Sequence, residues 1–199
     1  MSGRSPTSGS AMSAHTFIKF DKATFYTFVQ AQADGRYEFV RGRIMQQQQG
    51  GTFKHVRIAD RFREALNQQL SQADWVVSTS DRGVDTGETV RYPDVVVEPV
   101  GADPNSLSTS IPAVLVEVLS HSSEDRDLYV KPAEYLALST LQAYIVASQD
   151  EVACVLWVRD SRGQFLADGI DVKGPDAVVE LMAMGVIIPL RQIYAGLVS

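Results

Sequence analysis

Two short segments of this chain are apolar almost without interruption: Pro93-Asp94-Val95-Val96-Val97 and Ala113-Val114-Leu115-Val116-Glu117-Val118-Leu119. Neither alternates as a strand with one wet face would, so both are expected to be strands buried on both faces. Such strands need cover above and below, which restricts the chain to a layered α/β architecture. At 199 residues the length suits one domain, large enough to bury a core without a disulfide or metal staple.

The remaining pattern fits that frame. Asp21 is placed to cap a helix with apolar positions Phe25, Phe28 and Val29, and Gly35 to stop it. Arg36–Met45, with Arg41-Gly42 between two short alternating runs, reads as a hairpin or a tight strand turn. Thr52 caps a second helix whose stripe is Val56, Ala59, Phe62, Leu66 and Leu70. A strand is expected over Trp75–Val77, then a turn-rich loop from Asp81 to Gly87. After the two apolar strands, a polar stretch from His121 to Asp127 leads to a helix through Tyr135 and Leu138. Strands follow over Ala143–Ala147, Val152–Val158, Val178–Leu181 and Val186–Ile188, with a short helix near Ile193. The expected fold is α/β, a mixed β-sheet flanked by helices. Residues 1–14, rich in Ser and Gly, read as a disordered tail, and 15–199 as a single domain.

Charge and cysteine content narrow the function. The net charge of -6 argues against a broadly basic nucleic-acid coat, though a local basic patch remains compatible with it. Arg57, Arg61 and Arg63 are candidates for such a patch. The lone Cys154 forbids an internal disulfide, lies in an apolar strand pattern, and fits a cytoplasmic protein better than a secreted one. No apolar run approaches the ~20 residues of a membrane span. No G-x-S-x-G elbow, G-x-x-x-x-G-K-[ST] loop or G-x-G-x-x-G turn is present.

Glu117 is the anomaly. A carboxylate within Val-Leu-Val-Glu-Val-Leu is costly to bury without a cation, a hydrogen-bond network or a metal. Asp94 opens the neighbouring apolar strand, and two such acids repel unless positive charge lies between them. Hard divalent cations take oxygen ligands of this kind. A metal so held can bind a phosphodiester oxygen and activate water. On this basis Asp94→Asn is expected to leave the metal-free protein at least as stable. Lys131, fourteen positions beyond Glu117, is placed to offset the acids and orient a nucleophilic water. The competing assignment is a solvated helix lysine.

These residues also carry a family resemblance. The pieces are Tyr37-Glu38-Phe39-Val40-Arg41-Gly42-Arg43-Ile44, Arg91-Tyr92-Pro93-Asp94-Val95-Val96-Val97 and Val116-Glu117-Val118-Leu119-Ser120, followed by Arg126-Asp127 and Lys131 to Tyr135. Leu141-Gln142-Ala143-Tyr144-Ile145-Val146 and Ile193-Tyr194-Ala195-Gly196 complete the set. In this order the chain resembles the Uma family of restriction endonucleases, within the PD-(D/E)XK nuclease superfamily. The resemblance implies a restriction-endonuclease-like fold, often dimeric, and a Mg²⁺- or Mn²⁺-dependent endonuclease acting on DNA. It implies Asp94 and Glu117 as the motif acids, Lys131 as a lysine moved onto the following helix, and Glu38 as an early acid completing the metal site. His55 resembles a frequent family histidine, and is expected here as a surface or capping residue. His121 stands where the family often has Pro. The implied partners are DNA, held weakly and salt-sensitively, and a second copy of the chain. The alternative is a catalytically silent nuclease fold kept as a binding or dimerisation module.

Overall fold

The computed structural model describes residues 18–32, 34–47, 50–119 and 126–198. The expected tail and most of the polar stretch before Lys131, with Ser120 and His121, lie outside the described residues.

The chain opens with α1 (Lys22–Ala31), capped as expected by Asp21, whose carboxylate accepts from the Thr24 N–H at 2.7 Å. The helix ends at Ala31, ahead of Gly35, which instead shapes the entry to β1 (Arg36–Val40). β1 turns into β2 (Arg43–Gln47) through Arg41 and Gly42, at φ 48° and 88°. Two positive φ values in a two-residue loop match the right-handed twist of the flanking strands.

α2 (Phe53–Gln69) begins at Thr52, whose hydroxyl accepts from the His55 N–H at 3.1 Å. Its buried face is Ile58, Phe62, Ala65 and Leu66, while Val56 is exposed. The expected stripe was therefore partly misplaced around the helix: Ile58 and Ala65 take the inward positions, four and three residues from Phe62 on either side.

β3 (Trp75–Thr79), β4 (Gly83–Asp85), β5 (Thr89–Arg91), β6 (Val95–Pro99), β7 (Ser108–Thr109) and β8 (Val114–Val118) follow. The stretch expected as a loop from Asp81 to Gly87 thus holds the short strand β4. A π-helical turn, Arg126–Val130, runs directly into α3 (Lys131–Tyr135), which stops short of Leu138. β9 (Ala143–Ala147), β10 (Ala153–Val158), β11 (Ile170–Lys173), β12 (Val178–Leu181), β13 (Val186–Pro189) and α4 (Leu190–Tyr194) complete the chain.

The strands form a six-stranded sheet, β11-β10-β9-β8-β6-β3, a five-stranded sheet, β2-β1-β5-β4-β7, and the β12–β13 hairpin. In the larger sheet only β8 and β9 are parallel, so it is mixed. Both β8 and β9 are wholly buried, as their continuous apolar character requires.

Alternation along β8 decides where its acid goes. Val114, Val116 and Val118 join Ile58, Phe62 and Leu66 of α2 in one core. Leu115 faces the other way, into a second core with Tyr135, Tyr144 and Trp157. Glu117, two residues from Leu115, shares that second face and so points toward α3. Val84 of the smaller sheet enters the same core, which brings the two sheets together around α3. Phe25, Phe39 and Val90 bind α1 to the smaller sheet. Cys154 is buried, and burial, with Asp171 nearby, pushes its thiol up to about 12, so it is core rather than nucleophile. No helix among the described residues is long and apolar enough to cross a membrane.

Candidate active site

The β6–β8 ladder pairs Val95 with Val116, Val96 with Leu115 and Val97 with Val114. One step further along that register sets Asp94 opposite Glu117. The two acids singled out from the sequence therefore stand at the same end of one buried strand pair.

Each is already engaged. The Lys131 ammonium donates to Glu117 Oε1 at 2.5 Å, and the Tyr135 hydroxyl lies 3.4 Å from the same oxygen. Lys131 is 4% exposed and Glu117 5%, so this is a buried ion pair and not a solvated helix lysine. Lys131 is the first residue of α3, with Pro132 in the first turn, where its missing N–H breaks no helical bond. Positions 131, 134 and 135 share one helix face, and their side chains all turn inward. Burial raises the Tyr135 pKa well above its ordinary value, and the Glu117 charge adds to this, so the hydroxyl stays protonated as a donor.

Asp94 lies nearer the surface. Its Oδ1 is 3.0 Å from His55 Nε2 and its Oδ2 accepts from the Val118 N–H at 2.8 Å. His55, expected as a surface or capping residue, thus partners Asp94. Gly51 leaves room for the imidazole, since a Cβ there would lie 2.9 Å from the ring. The expected mutual repulsion of Asp94 and Glu117 is met within the protein itself, by Lys131 on one acid and by His55 and a backbone N–H on the other.

Glu38 comes from the smaller sheet and is 2% exposed. Its Oε1 accepts from Gln47 Nε2 and its Oε2 from Arg91 Nη1, both at 2.7 Å. Arg91 in turn clamps Glu134 of α3 through Nε and Nη2, each at 2.9 Å, and the Thr89 hydroxyl adds a bond at 3.1 Å. Burial alone would lower the Arg91 pKa, but Glu134 and Glu38 outweigh it and hold the guanidinium charged. The charges of Glu117, Glu38 and Arg91 all reach Tyr135, so the two ion-pair systems adjoin. Taken together, these described side chains set the carboxylates of Glu38, Asp94, Glu117 and Glu134 against the cations of Arg91 and Lys131.

Among the described residues, no group of three or more His, Cys, Asp or Glu side chains is arranged as a metal cage. Asp94 and Glu117, facing across one ladder, are a two-carboxylate donor set that suits a hard cation in chemistry. Glu38 stands on the smaller sheet, with its oxygens held by Gln47 and by the Arg91 guanidinium. Two of the three basic candidates are already engaged. Arg61 donates to the Ile193 and Ala195 carbonyls at 2.8 Å, tying α2 to the C-terminal end, and Arg57 pairs with Asp60 at 3.3 Å.

Sequence reasoning passed over His55, Arg91, Glu134 and Tyr135 as members of this constellation. Arg91 lay inside a quoted motif piece. Lys131, Glu134 and Tyr135 carried the i, i+3, i+4 spacing that marks one helix face.

The fold is a mixed α/β architecture with two acids at one end of a buried strand pair. A family model described as "Putative restriction endonuclease", Uma2, matches residues 23–187, and the chain belongs to that family. A curated relative, the uncharacterized protein sll1609 of Synechocystis sp., is 27% identical over 132 residues, spanning 64% of this chain and 74% of its own. A crystal structure from Anabaena variabilis, described as a putative nuclease belonging to DUF820, superposes with a TM-score of 0.68 at 16% identity. That match covers 84% of this chain and 95% of the other, and it confirms the architecture.

Proposed function

We propose that this protein is a metal-dependent endonuclease that hydrolyses DNA phosphodiester bonds, with Mg²⁺ or Mn²⁺ held by Asp94 and Glu117. The observation that supports this most is the Lys131 ammonium lying on Glu117, at the strand end that Asp94 faces. Asp94 and Glu117 would hold the cation, which would supply Lewis-acid charge for phosphodiester hydrolysis. His55 and the Val118 N–H fix the plane of the Asp94 carboxylate. Lys131 fixes Glu117 and brings a second positive charge to where the phosphate gains negative charge. Arg91, gripping Glu134, holds the short helix that carries Lys131, and Glu38 orients Arg91. With a net charge of -6, DNA affinity comes from a local surface and falls steeply with salt, by about 0.9 log units per neutralised phosphate for each log unit of salt.

A second reading, a silent nuclease fold serving as a binding module, draws on the same ion pair: a lysine committed to Glu117 is a sufficient structural element by itself. Nicking of supercoiled plasmid with and without Mn²⁺ separates the two. Wild type should cut only with metal, and Asp94→Asn should not cut. The asparagine keeps an acceptor for the Val118 N–H but loses the charge facing His55, so it should cost about 1 kcal/mol of stability. This replaces the gain expected from relieved repulsion. Metal-independent cutting, or an active Asp94→Asn protein, refutes the metal site; no cutting under any condition favours the binding module.

A further inference from the structure

We infer that Gln149 is a positioning residue for the Asp94 carboxylate, acting through Thr52 and His55; its consequence for metal binding rests on the function proposed above. Gln149 sits in the turn between β9 and β10, yet it is only 7% exposed. Its Nε2 donates to the Leu119 carbonyl, and its Oε1 accepts from the Thr52 hydroxyl at 2.5 Å. The amide orientation follows from the partners. The Leu119 carbonyl only accepts, so Nε2 must face it, which leaves Oε1 for Thr52 and obliges Thr52 to donate.

Thr52 has one proton, and Gln149 takes it. A lone pair is then left to accept from the His55 N–H, the capping bond of α2. His55 reaches Asp94 Oδ1 through Nε2, and Asp94 Oδ2 accepts from the Val118 N–H. Val118 adjoins Leu119, where the chain of bonds began. The bonds form a closed ring that ties the start of α2, the end of β8, the β9–β10 turn and Asp94 to one another. The site uses a donor and an acceptor on one side chain, and the Gln149 amide supplies both. Glutamate has no proton for Leu119, and lysine has no lone pair for Thr52. Groups that orient a metal ligand from outside commonly change metal affinity or activity by about 10–100-fold when removed.

The test uses the full-length protein, with Mn²⁺ as the probe in calorimetric titrations and ¹⁵N NMR of the His55 ring in the metal-free state. Gln149→Met keeps the side-chain length and removes both bonds. It should weaken the Mn²⁺ Kd about tenfold and shift the His55 ring nitrogen signals. Thr52→Val should do the same, Thr52→Ser should behave as wild type, and the double variant Thr52→Val/Gln149→Met should be no weaker than either single one. If Gln149→Met does not fold, Thr52→Val reads the same link from its other side. Purely structural bonds would lower the melting temperature without moving the Kd of the folded protein. Unshifted His55 signals in a folded variant overturn the inference whatever Mn²⁺ does. Shifted signals with a Kd unchanged within about twofold overturn its consequence for the metal. If wild type itself takes up no Mn²⁺, the metal site fails, while the His55 signals still decide the positioning role.

Discussion

Lys131→Ala should cost cleavage about 10²–10³-fold at saturating Mn²⁺, the usual effect of removing one positioned charge from a transition state. It should also destabilise the protein by about 3–5 kcal/mol, because Glu117 then keeps a buried charge without the Lys131 cation. The second figure comes from the structure: a solvated lysine would move stability by less than about 0.5 kcal/mol. The two effects separate in Glu117→Gln/Lys131→Met, which removes both charges and keeps similar volumes. That variant should recover much of the lost stability while remaining inactive. Lys131→Arg should rescue poorly, since a planar fork does not fit where a compact ammonium lies 2.5 Å from one oxygen. Urea unfolding and single-turnover cleavage, both below the variants' melting transitions, provide the measurements. A Lys131→Ala protein with normal stability and normal cleavage would remove Lys131 from both roles.

The largest stability loss should follow Arg91→Met. Arg91 is 3% exposed and is the shared partner of Glu38 and Glu134. Removing it takes the cation from buried Glu38 and from half-buried Glu134 at once, so the loss should reach the about 3–5 kcal/mol typical of one broken buried pair. The damage has a direction. Glu134 lies on α3, a five-residue helix whose first residue is Lys131. A helix this short has almost no stability of its own and depends on such anchors. Arg91→Lys keeps the charge but loses the two-pronged grip on Glu134, so it should lose cleavage out of proportion to stability. Glu38→Gln/Glu134→Gln in the Arg91→Met background should restore part of the stability. Chemical denaturation of the series measures the effect. A loss under about 1 kcal/mol for Arg91→Met would show that these acids are not held by Arg91.

Much of this was legible in the sequence, and the boundary has physical causes. The continuous apolar runs around Val96 and Leu115 identified the two-faced strands, because burial on both sides leaves no polar positions. Glu117 betrayed itself by the same logic, as the one charge where none should be. Asp21 and Thr52 announced helix starts, since capping is local chemistry. Val56 misled because helical spacing shows that a stripe exists but not which edge of it meets the sheet. β4 and β7 were invisible, being too short for a period and existing only through pairing with distant partners. The partners of Arg91 and His55 stayed hidden for a related reason. They lie 53 and 39 positions away in sequence. Nothing in a local pattern reports that a guanidinium will be buried between two acids, or that an imidazole at a helix start will meet the head of a strand.

The central claim is that Asp94 and Glu117 hold one divalent cation beside Lys131. The most direct measurement is anomalous scattering from a crystal of the wild-type protein soaked in Mn²⁺. The expected result is a manganese peak about 2 Å from an oxygen of Asp94 and from an oxygen of Glu117, absent from Asp94→Asn crystals treated in the same way. A manganese peak elsewhere on the molecule, or none at this strand end while Lys131 remains on Glu117, would contradict the claim.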